Sequence, residues 1–407
     1  MQSTQKAGKV PPFIQHVWLR NYKSIASCDI RLSPLTFLVG PNGSGKSNFL
    51  DALSFVRDAV DLSLDHAVRE RGGVNQVRRR SGGHPNHFEI KLGFSLPDAS
   101  SGIYAFRIGA MRQGEYEVQH ETCEISLGQE LRAVRYRVER GTVVDWPLET
   151  PPPPAASDRL YLVNAAGHPF FRSLYRRLSS MGFYNLNPDE IRKPQPSEAG
   201  DLLRRDGSNI AHVLRRLSRS HPPVRGRIEE LLGKIVPGIA GVSADDLGTH
   251  ETLEFRQVVA GARSAWRFPA TNMSDGTLRA LGILVALFQA SGSLGEWQIS
   301  LVGIEEPESA LHPAAAGILR DSLMEASAFT QVLVTSHSPD LLDDKDIGSE
   351  SILAVRAEDG VTLLGRMDLA GRSMLKQKLY SAGELLRLNQ VIPEAGGLNT
   401  AANDDEI

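Results

Sequence analysis

Two stretches of this sequence carry residues whose types and spacing could do chemistry. The first is GPNGSGKS, Gly40 to Ser47, which fits the spacing G-x4-G-K-[ST]. Glycines there let backbone N–H groups close around phosphates, the lysine reaches the terminal phosphates, and the serine hydroxyl suits magnesium. The candidate nucleotide contacts are Gly40, Pro41, Asn42, Gly43, Ser44, Gly45, Lys46, Ser47 and Asn48. The second stretch is LVGIEEPESALHP, residues 301 to 313, where Glu305 and Glu306 stand side by side after an apolar run. Adjacent carboxylates repel, and burying either one unpaired is costly. Magnesium and a triphosphate nearby would remove that cost. One acid would then hold the metal through water and the other would polarise the attacking water.

Two further motifs converge on the same chemistry. In QVLVTSHSPDLLD, His337 follows a short apolar run, which puts it at the end of a strand as the acids are. In open α/β sheets, ligands gather at the carboxyl ends of the strands. In NMSDGTLRALGILVALF, Ser274 and Gly276 open a long apolar helix, and such an N-terminus accepts phosphate. With one phosphate site already furnished at Lys46, this second helix would serve another copy of the protein. Each motif has a plainer account: a glycine turn, a solvated acid pair, a core histidine, a capped core helix. A random chain of this length matches the bare phosphate-loop pattern only about one time in fifty. The flanking strand and helix make the functional account the stronger one.

These residues need elements to position them. Residues 13–39 read as two strands around a polar turn, and a helix follows the loop, with Phe49, Leu50, Leu53 and Val56 at three- and four-residue spacing. Residues 86–145 alternate in short runs and predict an antiparallel β region. A hairpin is expected over 251–270, strands over 299–304 and 331–335, and a helix from about 313. The expected organisation is a first ATPase lobe over 1–145, a proline-rich linker over 146–157 and a helical insert over 158–250. A second lobe over 251–380 and a disordered tail over 381–407 complete it.

Composition narrows the function. A chain of 407 residues with 41% hydrophobic and 23% charged residues is that of a folded protein of two or three lobes. A net charge of −3 excludes a globally nucleic-acid- or membrane-seeking surface. Local basic clusters remain: Arg78 to Arg80, and a helical stretch with Arg172, Arg177, Arg205, Arg215, Arg225 and Arg227. A phosphate backbone or an ordinary solvated face would explain them equally. Two cysteines without a CxxC, and no apolar run near 18 residues, argue against a disulfide framework, a zinc module or a membrane span. A cytoplasmic location is expected.

Phosphate loop, Ser-x-Gly helix, paired acids and a histidine after the next strand, in that order, resemble an ABC-type ATPase head. EEPESALH is similar to the ABC sequence DEPTSALD, and LRNYKSI resembles the N-terminal NFKS segment of the SMC and RecF branch. EEPESALHP and TSHSPDLLD look most like the RecF- and OLD-like ATPases of bacterial DNA repair and phage defence. The resemblance implies an α/β P-loop NTPase with an antiparallel β subdomain and a helical insert. It makes Glu305 the Walker B acid and metal ligand with Ser47, Glu306 the catalytic base, and Ser309 to Leu311 the D-loop. His337 becomes the switch histidine, with Lys46 at the phosphates, and Ser274 to Thr277 the signature. Gln76 is the Q-loop candidate, and Arg57, Arg69 and Arg71 are open candidates for an arginine on the phosphates. Glutamate for aspartate at 305 adds a methylene, and MSDGT departs from LSGGQ, which disfavours a transporter. ATP and Mg2+ are the implied ligands. The implied partners are a second copy through ATP, an effector encoded nearby, and DNA through the Arg-rich insert. Only about seventy residues follow His337, so a nuclease is expected in trans. The alternative function is a slow nucleotide-dependent switch that binds a protein partner without acting on DNA.

Overall fold

The computed structural model describes residues 11–81, 85–127, 133–197, 202–291 and 299–394. They form two compact units, one of residues 12–179 with 345–394 and one of residues 180–344 with Pro11.

The first unit begins with β1 (Ile14–Tyr22), β2 (Ile25–Arg31), β3 (Leu35–Val39), α1 (Lys46–Asp61), α2 (Leu64–Arg69) and α3 (Val74–Val77). Then come β4 (His87–Ser95), β5 (Ser101–Ala110), β6 (Tyr116–Ser126), β7 (Ala133–Glu139), β8 (Thr142–Asp145), α4 (Leu162–Ala165) and α5 (Pro169–Ser179). All five residues of β3 are buried, as expected of a strand covered on both faces. An antiparallel sheet runs in the order β2-β1-β4-β5-β6-β7-β8. The alternation read in residues 86–145 is its meander. Helix α1 buries Phe49, Leu50, Leu53 and Val56, and Phe55 on the same helix meets Phe88 of β4 edge-on at 5.4 Å. That contact ties the phosphate-loop helix to the sheet. Buried Glu121 of β6 accepts bonds from the Tyr104 and Tyr136 hydroxyls and the Tyr161 and Leu162 amides, which anchors the chain after the proline-rich stretch.

The second unit holds β9 (Gly182–Tyr184), α6 (Pro188–Arg192), β10 (Gln195–Pro196), α7 (Ile210–Ser220), α8 (Pro222–Ile235) and β11 (Ile239–Leu247). It continues with β12 (His250–Gln257), β13 (Trp266–Pro269), α9 (Asp275–Phe288), β14 (Leu301–Glu305), α10 (Ala316–Ala326) and β15 (Gln331–Ser336). Strands β9 and β15 flank β14, both parallel to it, so Glu305 and His337 emerge at one edge. Helix α9 is apolar nearly all round and buries eleven of its residues, the pattern of a core helix. Strands β10 to β13 make a separate antiparallel sheet.

The chain then returns to the first unit with β16 (Ile352–Glu358), β17 (Val361–Arg366), α11 (Leu369–Lys376) and α12 (Ala382–Arg387). Strand β16 runs parallel to β3 and forms a hairpin with β17.

The boundaries differ from the expected ones in three places. The stretch 158–250 is divided near residue 180 and contains strands β9 to β11 among its helices. Residues 345–380 join the first unit, because β16 pairs with β3. Order also extends past 381: Ser381 and Glu384 form a reciprocal capping box that starts α12. The rest of the expected tail, 395–407, lies outside the described residues. One strand, β2, was not foreseen between the two read in 13–39.

Candidate functional site

In the first unit, β3 runs into the glycine-rich loop and α1 follows it. Gly45 sits at the helix N-cap with φ of 98°, and no side chain caps the first turn. The N–H groups at the very start of the helix therefore have neither an i−4 carbonyl nor a side-chain cap. A β-carbon on Gly45 would lie 2.0 Å from the Thr362 hydroxyl, and one on Gly40 would lie 1.9 Å from the Val355 carbonyl. Glycine is required at both positions by the hairpin β16–β17 beneath. Gly43, at φ of 75°, faces open space. Lys46 is buried, and its Nζ donates to the carbonyls of Gly40 at 2.8 Å and Pro41 at 2.9 Å, within its own loop. The Ser44 hydroxyl is buried without a hydrogen-bond partner, whereas Ser47 is exposed. Asn48 turns its amide inward to Ser24 at 2.6 Å.

An uncapped helix start, glycines at positions that exclude a side chain, and an orphaned buried hydroxyl fit a nucleotide's phosphates. The exposed Ser47 hydroxyl would also suit magnesium, which takes few protein ligands and keeps waters. Among the described residues no cluster of three or more His, Cys, Asp or Glu suits a metal held by protein alone.

The second unit carries the acids. Glu306 follows β14 at a left-handed φ of 43°. Its N–H donates to the Thr335 carbonyl at 3.0 Å and hydroxyl at 3.1 Å, which fixes it against β15. His337 Nδ1 lies 3.4 Å from the Glu306 carboxylate, both half exposed. Glu308 is nearly buried; one oxygen accepts from the Ser336 hydroxyl at 2.7 Å and the His337 N–H at 3.1 Å, and the other has no partner. Glu305 accepts a bond from Arg205 at 3.1 Å. Arg279 of α9 donates to the Leu186 carbonyl at 3.0 Å and to the Glu305 and Glu306 carbonyls at 3.2 Å each. Burial pushes the Arg279 pKa down, against the pull of Glu306, Glu308 and Glu305. Ser274 caps α9, accepting from the Thr277 N–H, and remains exposed. A β-carbon on Gly276 would lie 2.5 Å from the Ala310 carbonyl, so the expected D-loop rests on the first turn of the signature helix.

The structure thus brings together Glu305, Glu306 and His337, and seats Gly276 beside the D-loop. Gln76 is exposed on the short α3, its stem against Gly72. Arg71 is committed to Asp51 at 2.9 Å and Asp58 at 3.0 Å, Arg57 pairs with Asp58, and Arg69 pairs with Asp65. Several arginines of the basic stretch also have acid partners: Arg215 with Asp246 and Glu251, Arg225 with Glu229, Arg227 with Glu230 and Glu325. Sequence reasoning missed Glu308, Arg279 and Thr362, and named Arg205 only as part of the basic stretch, not as a partner of Glu305. Glu308 and Arg279 lie inside motifs already singled out, EEPES and SDGTLR. Thr362 had no local signal, and nothing local tied Arg205 to Glu305.

A buried strand feeding a G-x4-G-K-S loop and helix, with paired acids and a histidine on neighbouring parallel strands, defines a P-loop NTPase of the ABC-type head class. The chain belongs to the family described as "AAA domain, putative AbiEii toxin, Type IV TA system", whose model matches residues 35–343. It is 25% identical over 346 residues to the OLD nuclease of Thermus scotoductus, covering 81% of this chain and 60% of that protein. Over 60 residues it is 52% identical to the DNA replication and repair protein RecF of Porphyromonas gingivalis, 14% of this chain and 16% of that one. Over 101 residues it is 29% identical to the chromosome partition protein Smc of Methanocaldococcus jannaschii, 25% of this chain and 8% of that one. The chain therefore spans less than two thirds of each of these relatives. In fold it matches a crystal structure of the Smc head bound to the C-winged helix domain of ScpA, with a TM-score of 0.56 at 15% identity over 89% of this chain and 99% of that one. It is an ABC-type ATPase of the RecF, SMC and OLD branch. No helix among the described residues is long and apolar enough to cross a membrane.

Proposed function

We propose that this chain binds ATP with magnesium, hydrolyses it, and closes as a head-to-tail dimer around the nucleotide to drive an effector in DNA repair or phage defence. The observation that carries the reading is the uncapped start of α1 over a glycine cradle that contains the orphaned Ser44 hydroxyl. Lys46, whose Nζ rests on the Gly40 and Pro41 carbonyls, would turn to the β and γ phosphates. Ser47 and Glu305 would hold magnesium, which when bound neutralises charge on the phosphates. Glu306, fixed by Thr335 and 3.4 Å from His337, would accept the proton of the attacking water. One chain carries one phosphate loop and one Ser274–Gly276 helix, and in ABC-type heads these serve different nucleotides, which calls for a twofold dimer. The names of the relatives, OLD nuclease, RecF and Smc, support a DNA-related role.

A second reading, a switch that acts on a protein partner without DNA, is favoured by the acid pairing of Arg215, Arg225 and Arg227. Steady-state ATPase rates with and without duplex DNA decide between them. The test of the main reading uses two variants. Lys46→Ala should lose ATP binding and turnover; Glu306→Gln should keep ATP, lose turnover by orders of magnitude and run as a dimer in light scattering. Turnover by Lys46→Ala at the normal rate would contradict the proposal.

A further inference from the structure

Ser44 and Gly45 form the peptide in the middle of the glycine cradle, and its orientation is held by a chain of side-chain hydrogen bonds from elsewhere in the first unit. The Thr362 hydroxyl, at the start of β17, donates to the Ser44 carbonyl at 3.0 Å. A hydroxyl has one proton, so the 2.7 Å contact between Thr362 and Ser24 must have Ser24 as its donor. Ser24 in turn accepts from the Asn48 amide at 2.6 Å. The Thr362 N–H also donates to the Ser24 carbonyl at 3.0 Å, which locks the β1–β2 turn to the hairpin. The direction of the relay is therefore set throughout: Asn48 to Ser24 to Thr362 to the Ser44 carbonyl.

This relay has a consequence at the loop. No peptide bond in the described chain is cis, and in a trans peptide the C=O and the following N–H point in opposite directions. With the Ser44 carbonyl held toward Thr362, the Gly45 N–H is held away from the hairpin. A flipped peptide would lose the Thr362 bond to the Ser44 carbonyl and turn the Gly45 N–H toward β17 instead. Thr362 is almost wholly buried, at 3% exposure, so water does not compete for its hydroxyl.

We propose that Thr362 is a positioning residue for nucleotide binding: through Ser24 and Asn48 it fixes the Ser44–Gly45 peptide so that the Gly45 N–H is presented to a phosphate. The inference rests on the reading of Gly40 to Ser47 as a phosphate site, and it adds a residue more than three hundred positions away in sequence. Preorganised backbone donors matter because their orientation is not re-established at each binding event.

The experiment compares Thr362→Val, which keeps the shape and removes the donor, with Thr362→Ser, which keeps the donor. In glycine-labelled protein without ligand, the Gly45 amide resonance should move in Thr362→Val and return toward its original position in Thr362→Ser. Titration with Mg-ATP and with pyrophosphate should show about tenfold weaker affinity for Thr362→Val and about twofold or less for Thr362→Ser. Ser24→Ala should weaken binding in the same direction, and adding it to Thr362→Val should cause little further loss, because both act through one relay. If Thr362→Val does not fold, the Ser24→Ala arm carries the test. An unmoved Gly45 resonance, or folded Thr362→Val with normal affinity for both ligands, would overturn the proposal. Wild-type protein that binds neither ligand would instead sink the phosphate-site reading, while the Gly45 resonance still decides whether Thr362 orients the peptide.

Discussion

Arg279 links the helix that Ser274 caps to the turn at Glu305 and Glu306, and removing it should separate nucleotide binding from turnover. Its guanidinium makes three contacts, to the carbonyls of Leu186, Glu305 and Glu306. Two of the three share one nitrogen, so they amount to two charged hydrogen bonds, with a ceiling of about 3–6 kcal/mol. Partial exposure lets water replace some of that, and we expect Arg279→Met to destabilise by about 2 kcal/mol. For a unit of this size that lowers the melting temperature by about 4–8 °C. Glu306 sits at a strained left-handed φ of 43°, so loss of the clamp on its carbonyl should let the carboxylate drift. A displacement near 1 Å costs about a hundredfold in rate, so kcat should fall by about tenfold to a hundredfold while ATP affinity changes by less than about threefold. A coupled ATPase assay for kcat and KM, with a melting curve on the same samples, reads both. Arg279→Lys should recover part of the stability and less of the rate, because one ammonium cannot span three carbonyls. A lowered melting temperature with unchanged kcat would show that Arg279 only packs, and the coupling argument would fail.

Two further predictions concern partly buried carboxylates. Glu308→Ala leaves the Ser336 hydroxyl and the His337 N–H without their acceptor, so turnover should drop by about tenfold with ATP binding retained; normal turnover would remove Glu308 from the machinery. Asp51 is partly buried, which works against ionisation, but Arg71 and Lys23 outweigh burial and hold its carboxyl below the usual range. A depressed folded pKa stabilises above the unfolded value of about 3.9 and that stability is lost as pH falls through the folded pKa. Arg71→Leu should therefore cost about 3–5 kcal/mol at neutral pH and move acid unfolding to higher pH, as followed by circular dichroism. An unchanged acid midpoint would show that this network does not govern the acid limb.

The parts of this molecule that were legible are those encoded locally. The loop Gly40–Ser47 was readable because its strand and helix are contiguous with it, and the meander of 86–145 because one face of each strand alternates. The hairpin at 352–366 has its own turn in Asp359-Gly360, yet its pairing with β3 depends on residues more than three hundred positions earlier. No local pattern announces such a partner, and Thr362 went unnoticed for the same reason. The helix at 382–387 was missed although Ser381 and Glu384 have capping-box spacing, since the polar composition of the tail outweighed a four-residue signal. The basic stretch was ambiguous because charge alone does not reveal pairing; the partners of Arg215 and Arg227 come from distant segments. At the acids, sequence placed Glu305, Glu306 and His337 at one strand edge but could not show that Glu308 and Arg279 hold them.

The central claim is that a complete ATPase site takes its phosphate loop from one copy and its Ser274 helix from another. Lys46→Ala and Ser274→Arg proteins, each inactive alone, should be mixed under conditions that permit exchange, with heterodimer formation followed by mass. A heterodimer holds one site with both defects and one with neither, so a shared site predicts partial recovery of ATP hydrolysis in the mixture. Absence of any recovery, with heterodimers demonstrably present, would contradict it.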